Sequence, residues 1–181
     1  MKSNSTMVCR YDPRSIGLHW LTVALVVALW ALGQTIDLFP KDDPRIAART
    51  LHILLGGSLA LVVSYRLWWR ISAGVRLPPT GDGWADKAAS LAHKLLYVLL
   101  ALTVLLGLAN AWQRGDTLYG LFSIAAFDPG NKALRETIGD LHALSANSLV
   151  ILACLHAAAA LFHRYRLKDQ VLQRMLPSRY S

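Results

Sequence analysis

The sequence is poor in cysteine and in charged residues, and each shortage excludes a class of protein. Only two cysteines, Cys9 and Cys154, occur among 181 residues, too few for the disulfide framework of a small secreted protein. Charged residues make up 17% of the chain and hydrophobic residues 54%, a balance that is unusual for a water-soluble domain. The chain also lacks internal repeats and low-complexity tracts, which argues against a solenoid or a fibrous protein.

Long apolar runs dominate what the chain does contain. They lie at about residues 15–36, 50–70, 88–112 and 141–164, and a helix needs roughly 20 apolar residues to cross a hydrocarbon core about 30 Å thick. The first run exceeds the apolar core of about 7–15 residues in a cleaved signal peptide, so we interpret it as a membrane span. We predict an all-α fold, a four-helix transmembrane bundle in which residues 1–181 form a single membrane-embedded domain.

Basic residues are distributed unequally between the two predicted sides of the membrane. The side with both termini carries 13 Lys and Arg residues and the other side carries 6, so the positive-inside rule predicts that both termini are cytoplasmic. Acidic residues divide 4 and 7, giving formal charges of +9 inside and −1 outside. The excess of basic residues is therefore explained by membrane topology, with lipid and not nucleic acid as the partner.

Histidines are the unexpected feature of these spans, because ionisable residues in lipid are costly and indicate function. Five of six lie in or beside the apolar runs: His19, His52, His93, His142 and His156. The 14 residues between His142 and His156 correspond to a rise of roughly 21 Å and nearly four helical turns. Both side chains therefore share one face of the last helix at two depths.

Depth predicts the partners of these two histidines. His19 lies near the cytoplasmic start of the first helix and matches His156, whereas His52 lies near the outer start of the second and matches His142. Imidazole nitrogen is a suitable iron ligand, and a helical bundle is a usual site for haem. The C-x-x-C-H motif of covalent haem attachment does not occur, so we predict a bundle that encloses two b-type haems, an inner and an outer one.

Two further residues near the predicted inner haem have alternative interpretations. His93 begins the third span at a depth where it competes with His19 as a ligand, or else lies near a propionate, a quinone or lipid headgroups. Arg66 ends the second span, where it either pairs with a haem propionate or anchors the helix at the interface. Glycines beside the ligands let a macrocycle or another helix approach the backbone: Gly17, Gly56 and Gly57.

His163 follows His156 by seven residues, so it lies on the same face about 10 Å nearer the cytoplasm. An imidazole there can hydrogen-bond a quinone carbonyl and deliver protons as the quinone is reduced. The alternative is an interfacial histidine that meets lipid phosphates beside Arg164 and Arg166. Trp84, in the second loop, belongs to an interfacial aromatic belt or forms a wall of the quinone site.

Three segments carry a resemblance to a known family: RYDPRSIGLHWL at the start, LHILLGG in the second span, and DLHALSANSLVILACLHAAAALFHRYRLKD at the end. In these residues the chain resembles the bacterial cytochrome b561 family of small inner-membrane dihaem proteins. The resemblance implies iron ligation by His19 and His156 in one haem and by His52 and His142 in the other. It also implies a quinone near His163, and it is poorest in the second and third loops.

The resemblance further implies an activity, because members of similar length and layout oxidise superoxide and reduce ubiquinone. Superoxide would be oxidised at the outer face, where local basic residues would attract it despite the formal charge of −1: Arg45, Arg49, Lys132 and Arg135. Alternatives are an electron shuttle or quinol oxidase with another reductant, and a membrane-anchor subunit that accepts electrons from a redox protein. The short loops offer little docking surface, so we favour the self-contained enzyme over these and over a haem-free bundle.

Overall fold

The computed structural model describes residues 10–75, 77, 83–118 and 122–177. Four helices dominate it: α1 (Pro13–Thr35), α2 (Asp43–Ser72), α3 (Trp84–Arg114) and α4 (Lys132–Phe162). Two short antiparallel strands, β1 (Thr117–Leu118) and β2 (Phe122–Ser123), lie between α3 and α4. A π-type turn at His163–Leu167 and a 3-10 turn at Leu172–Met175 follow α4, and another 3-10 turn at Ile36–Leu38 follows α1. The predicted all-α bundle is confirmed.

In the described part of the chain, four helices are long and apolar enough to cross a membrane, with a mean hydropathy of 1.8 to 2.1 in their most apolar windows. Large apolar side chains cover their outer surface, and Val27, Leu61, Leu105 and Ile151 are 58%, 75%, 63% and 63% exposed. Such a surface would drive aggregation in water but is suited to lipid.

The helices extend further than the predicted apolar runs. The second was predicted from residue 50 but α2 begins at Asp43, with Pro44 in its first turn. The fourth was predicted from residue 141, but α4 begins at Lys132, where the side chain of Asn131 accepts a hydrogen bond from the Leu134 N–H at 3.0 Å. Hydropathy detects only the part of a helix that lies in lipid, whereas capping residues determine where it begins.

Antiparallel neighbours form the bundle, with α1 packed mainly on α2 and α3 mainly on α4. Each helix contributes one buried leucine to a central layer: Leu29, Leu59, Leu100 and Leu149. Leu149 lies midway between His142 and His156 in the sequence, so this layer separates the two ends of the bundle. We call the end with β1 and β2 the hairpin end, and the end with the start of α1 and the turn at Leu172–Met175 the terminal end.

Candidate haem centres

His52 on α2 and His142 on α4 meet at the hairpin end. Their ring centroids lie 6.2 Å apart and their planes are inclined at 83°. The His142 Nδ1–H donates to the Thr103 carbonyl at 3.0 Å, which leaves Nε2 available as a ligand, the usual arrangement for metal-bound imidazole. The structure therefore brings together the pair that the depth argument predicted.

Two glycines make room for these rings. A Cβ added at Gly107 would lie 3.0 Å from His142 Cε1, and one added at Gly33 would lie 3.3 Å from His52 Cε1. At the three glycines that the sequence indicated, an added Cβ meets no described atom within 4 Å: Gly17, Gly56 and Gly57. Close helix packing is therefore not the role of those three glycines in this structure.

The geometry of the His52 and His142 pair fits an iron porphyrin. His52 and His142 would hold the iron of a porphyrin, because imidazole nitrogen is a suitable iron ligand and the two rings meet inside a helical bundle. In addition, His52 Nδ1 is buried without a hydrogen-bond partner in the described structure. Burial of a polar atom without a partner costs free energy, and nearly all buried polar groups in proteins have one. No group of three or more His, Cys, Asp or Glu side chains in the described residues is suited to a bare ion, whereas a porphyrin supplies its own four nitrogens.

A second cluster lies at the terminal end and contains three histidines. His93 and His156 have ring centroids 5.1 Å apart, and His19 lies within electrostatic reach of both. Arg66 Nη2 lies 3.1 Å from His19 Nδ1, and its guanidinium also stacks 5.5 Å from the centroid of Tyr97. The predicted partners, His19 and His156, are thus brought into one cluster, but the ring contact of His156 is with His93.

A small cavity adjoins this second cluster. Its walls combine two guanidinium groups with two phenols, a hydroxyl and the apolar side of the C-terminal turn: Arg66, Arg70, Tyr11, Tyr97, Ser15 and Met175. Such a set of donors is suited to carboxylates. Arg66 contacts His19 and also lines this cavity.

Asp12 fixes the terminal end, a role that the sequence analysis missed. Its carboxylate accepts hydrogen bonds from the Ser15 N–H, the Ser15 hydroxyl, the Trp69 indole and the Val75 N–H at 2.9, 2.7, 3.1 and 3.4 Å. Burial raises the pKa of Asp12, but these donors outweigh it and lower the pKa to about 2. The Asp-Pro pair before an apolar run was the available signal, since Asp is a preferred N-cap and Pro a preferred first residue.

Arginines cluster around a single carboxylate at the hairpin end. Arg49 and Arg114 lie 3.7 and 3.8 Å from Asp116 Oδ1, and the Asp116 side chain is only 12% exposed. Burial raises the pKa of Asp116, and the two arginines offset part of that rise. Of the residues predicted to attract superoxide, Arg49 belongs to this cluster, whereas Arg45 is bound to the Asp37 and Phe39 carbonyls.

The remaining predicted members of that set, Lys132 and Arg135, are exposed near the start of α4. Arg114 and Asp116 were not predicted as site residues, because their approach to Arg49 depends on how α3 packs against α2.

His163 lies beyond the second cluster at the end of α4, where its Nδ1 is 2.5 Å from Asp169 Oδ2. Trp84, at the start of α3, is 87% exposed and lies 5.6 Å from the Lys87 ammonium. The structure gives His163 a specific polar partner, whereas Trp84 is exposed and contacts a flexible cation.

Comparison with known proteins identifies the family. The profile of prokaryotic cytochrome b561 matches residues 10–178. Cytochrome b561 homolog 1 of Escherichia coli K12 is 33% identical over 174 residues, covering 94% of this chain and 98% of that protein. Cytochrome b562 of Cereibacter sphaeroides is 31% identical, covering 93% and 96%, and a Yersinia pestis protein named probable superoxide oxidase is 29% identical, covering 94% and 97%.

The suspected relationship is thus confirmed over nearly the whole chain. The histidine pairs and apolar helices of the chain agree with a haem-binding membrane bundle that transfers electrons. The chain is a bacterial multi-pass membrane protein and belongs to the prokaryotic cytochrome b561 family, which implies a b-type haem.

Proposed function

We propose that this chain is a dihaem cytochrome b that oxidises superoxide to oxygen at its outer face and reduces ubiquinone at the cytoplasmic side. The observation that carries the proposal is the presence of two histidine clusters, one at each end of the bundle, on either side of the central leucine layer. In this proposal residues 1–181 act as one domain of the inner membrane. The terminal end, with its excess of Lys and Arg, faces the cytoplasm.

Four histidines are the proposed iron ligands. His52 and His142 would hold the outer haem, and the free Nε2 of His142 supports this assignment. His19 and His156 would hold the inner haem, with Arg66 turned from His19 toward a propionate. When bound, haem supplies an iron that accepts and donates single electrons.

His93 retains two roles in the proposal. Its contact with His156 is compatible with direct ligation of the inner haem in place of His19. It is equally compatible with a polar contact to a propionate or to the quinone beside that haem. Replacement of each histidine by alanine separates these roles, as described in the Discussion.

Arginine side chains support an anionic substrate at the outer face. Arg49 and Arg114 outnumber the one carboxylate between them, Asp116, so the local charge is positive although the formal charge of the outer loops is −1. An anion that approaches the His52 centre is therefore attracted over short distances. The name of the Yersinia pestis relative, probable superoxide oxidase, supports superoxide as that anion.

His163 would serve ubiquinone at the opposite end. Reduction of a quinone to a quinol requires two electrons and two protons, and an imidazole near the interface is a suitable donor of those protons. A ring held on one side by Asp169 presents its other nitrogen in a fixed direction, which favours a ligand contact over loose association with lipid phosphate.

The proposal is tested by a superoxide pulse. The purified, oxidised protein in detergent is mixed with superoxide, and the haem α-band is followed with and without a soluble ubiquinone analogue. We expect fast haem reduction that the quinone reverses. A haem band that ignores superoxide would refute superoxide oxidation but would keep the electron-transfer cytochrome, and the absence of any haem band would refute the ligand assignment.

A second candidate is an electron-transfer cytochrome or membrane-anchor subunit that exchanges electrons between a redox protein and the quinone pool. Two relatives support it, because they are named simply cytochrome b561 homolog and cytochrome b562. Purification under mild conditions distinguishes the candidates. A redox protein that copurifies in equal amount and reduces the haem would favour this second candidate over the self-contained enzyme.

A further inference from the structure

The chain reverses direction immediately after α4. This reversal brings the carboxylate of Asp169 beside His163, which directly follows α4. His163–Leu167 form a π-type turn, and Lys168 then adopts a left-handed conformation with φ of 56°. A residue other than glycine rarely occupies this region, because its Cβ approaches the backbone. The turn that brings Asp169 beside His163 is therefore formed against the local preference of the backbone, and the contacts that it makes must compensate.

Both oxygens of the Asp169 carboxylate are engaged. Oδ2 accepts a hydrogen bond from His163 Nδ1 at 2.5 Å, and Oδ1 accepts one from the Val171 N–H at 3.1 Å. Burial raises the pKa of Asp169, but the hydrogen bonds from His163 and Val171 and the charge of Arg174 lower it below its usual range. The group is thus an ionised carboxylate at neutral pH, and such a group only accepts hydrogen bonds.

The protonation of the histidine ring follows from that chemistry. Since the carboxylate cannot donate, His163 Nδ1 must carry a proton, and Nε2 is the nitrogen that remains for a ligand. A ring held at one nitrogen has a fixed orientation, whereas a free imidazole rotates and exchanges its tautomers.

We propose that Asp169 is a positioning residue that orients His163 for proton transfer to a bound quinone. This inference rests on the proposed quinone site at His163. In the transfer, the Nε2–H bond of the doubly protonated ring breaks and an O–H bond forms at a quinone carbonyl oxygen. The electrons for this reduction would be supplied by the haem that the loaded protein holds, and Nε2 regains its proton from water at the cytoplasmic surface. Nδ1 keeps its proton and its bond to Asp169 throughout, so this side of the ring need not rearrange.

Asp169 also contacts a neighbouring segment of the chain. A test must therefore separate a structural role in that segment from the positioning of His163. The turn at Leu172–Met175 that follows it docks on α1, where the Trp20 indole donates to the Met175 carbonyl at 2.9 Å and the Tyr11 N–H donates to the Arg174 carbonyl at 3.1 Å. If Asp169 only fastened this segment through Val171, its removal would act whether or not His163 were present.

A double-mutant cycle distinguishes the two roles. The full-length protein is purified with haem, reduced chemically and mixed with a soluble ubiquinone analogue, and the rate of haem reoxidation is measured. The variants are Asp169→Asn, His163→Ala and the double substitution, with Asp169→Glu to restore the charge and Glu136→Gln, an exposed carboxylate at the other end of α4, as the matched control.

We expect Asp169→Asn to slow reoxidation by about 10- to 100-fold, which is less than the roughly 10²- to 10⁴-fold contribution of a whole general acid–base group, because Asp169 acts through His163. The double variant should react as slowly as His163→Ala alone, Asp169→Glu should recover part of the rate, and Glu136→Gln should react normally. An NMR spectrum of the oxidised protein gives a second readout: a strongly deshielded exchangeable proton of His163 should be lost in Asp169→Asn.

Additive effects in the cycle would overturn the inference, as would a normal rate in Asp169→Asn. In either case a slow His163→Ala variant would leave the proposed quinone site intact. A normal rate in His163→Ala, with the haem spectrum preserved, would refute both that site and the role of Asp169.

Discussion

Gly107 lies directly against the ring of His142: a Cβ at this position would be 3.0 Å from His142 Cε1. Almost all contacts between a Cβ and another heavy atom are longer than this, so the ring or the helices must move by a few tenths of an ångström if a methyl group is added. Gly107 thereby determines how closely α3 approaches the ring of a proposed haem ligand.

The variant Gly107→Ala should therefore lose haem at the His52 and His142 pair. Overpacking of this kind costs about 1–3 kcal/mol, and the displaced ring would also miss the iron. Haem content per chain, measured by the pyridine haemochrome method, should fall toward half. Gly56→Ala is the matched control, since an added Cβ there meets no described atom within 4 Å; equal haem loss in both variants would contradict the prediction.

Removal of a proposed ligand should lower the number of haems bound per chain by one. The proposed assignment gives two haems per chain in the unmodified protein, and we expect His142→Ala to bind one, because the remaining cluster lies beyond the leucine layer. Electron paramagnetic resonance of the oxidised protein should lose one of two low-spin signals. His163→Ala should keep both haems, and retention of two haems by His142→Ala would exclude this histidine as a ligand.

The three histidines of the terminal cluster can be separated in the same way. We expect His19→Ala to lose the inner haem and His93→Ala to retain it, since depth pairs His19 with His156. The measurement is haem content together with the low-spin signal that remains in His142→Ala. The reverse result would show that His93, which contacts the ring of His156, is the ligand.

The sequence predicted the features that depend on position along a helix. Apolar runs predicted four spans, and the interval between His142 and His156 placed them on one face. Depth also predicted that His93 competes with His19 at the terminal end, but it could not decide between them, because the contact of His93 with His156 depends on the rotation of α3 relative to α4. Gly107 was missed for the same reason, since nothing in its local sequence indicates which ring lies opposite.

Polar contacts between distant segments also could not be predicted from the sequence. Asp12 was recognisable as a helix cap, but its bonds to Trp69 and Val75 join residues separated by more than a whole span. Asp169 lies in a segment that resembles the family, but no role was predicted for it. The turn that brings it beside His163 has a lysine, Lys168, in the left-handed conformation, so no glycine indicates the turn in the sequence.

Asp12 should make stability depend on pH in a defined window. Its pKa in the folded protein is about 2, below the ordinary value of 3.8, so its contribution is complete above about pH 4 and is lost as the pH falls toward 2. Asp12→Asn should cost about 1 kcal/mol at neutral pH, because Asn can still cap α1 but lacks the charge that strengthens the hydrogen bonds from Ser15, Trp69 and Val75. The thermal midpoint in detergent should differ between the two proteins at pH 7, and the difference should shrink at pH 3.

The matched control is Asp42→Asn, because Asp42 precedes α2 but makes no capping hydrogen bond through its side chain. This substitution should leave the midpoint nearly unchanged. A difference between Asp12→Asn and the unmodified protein that persists undiminished at pH 3 would mean that packing, and not the carboxylate charge, accounts for the effect.

The arginines around Asp116 should make the reaction with superoxide sensitive to salt. Arg49 and Arg114 lie within 4 Å of one carboxylate, so the cluster keeps a positive charge, and its field is screened beyond about 10 Å at 0.1 M salt. The second-order rate of haem reduction should fall as salt is added, and Arg114→Gln should flatten this dependence because it removes one of the cations. Arg164→Gln, at the opposite end of the bundle, is the control and should keep the full slope. A rate that is independent of salt, or an equal loss of slope in the two variants, would mean that the outer arginines do not attract the substrate and that Arg114 serves to hold Asp116.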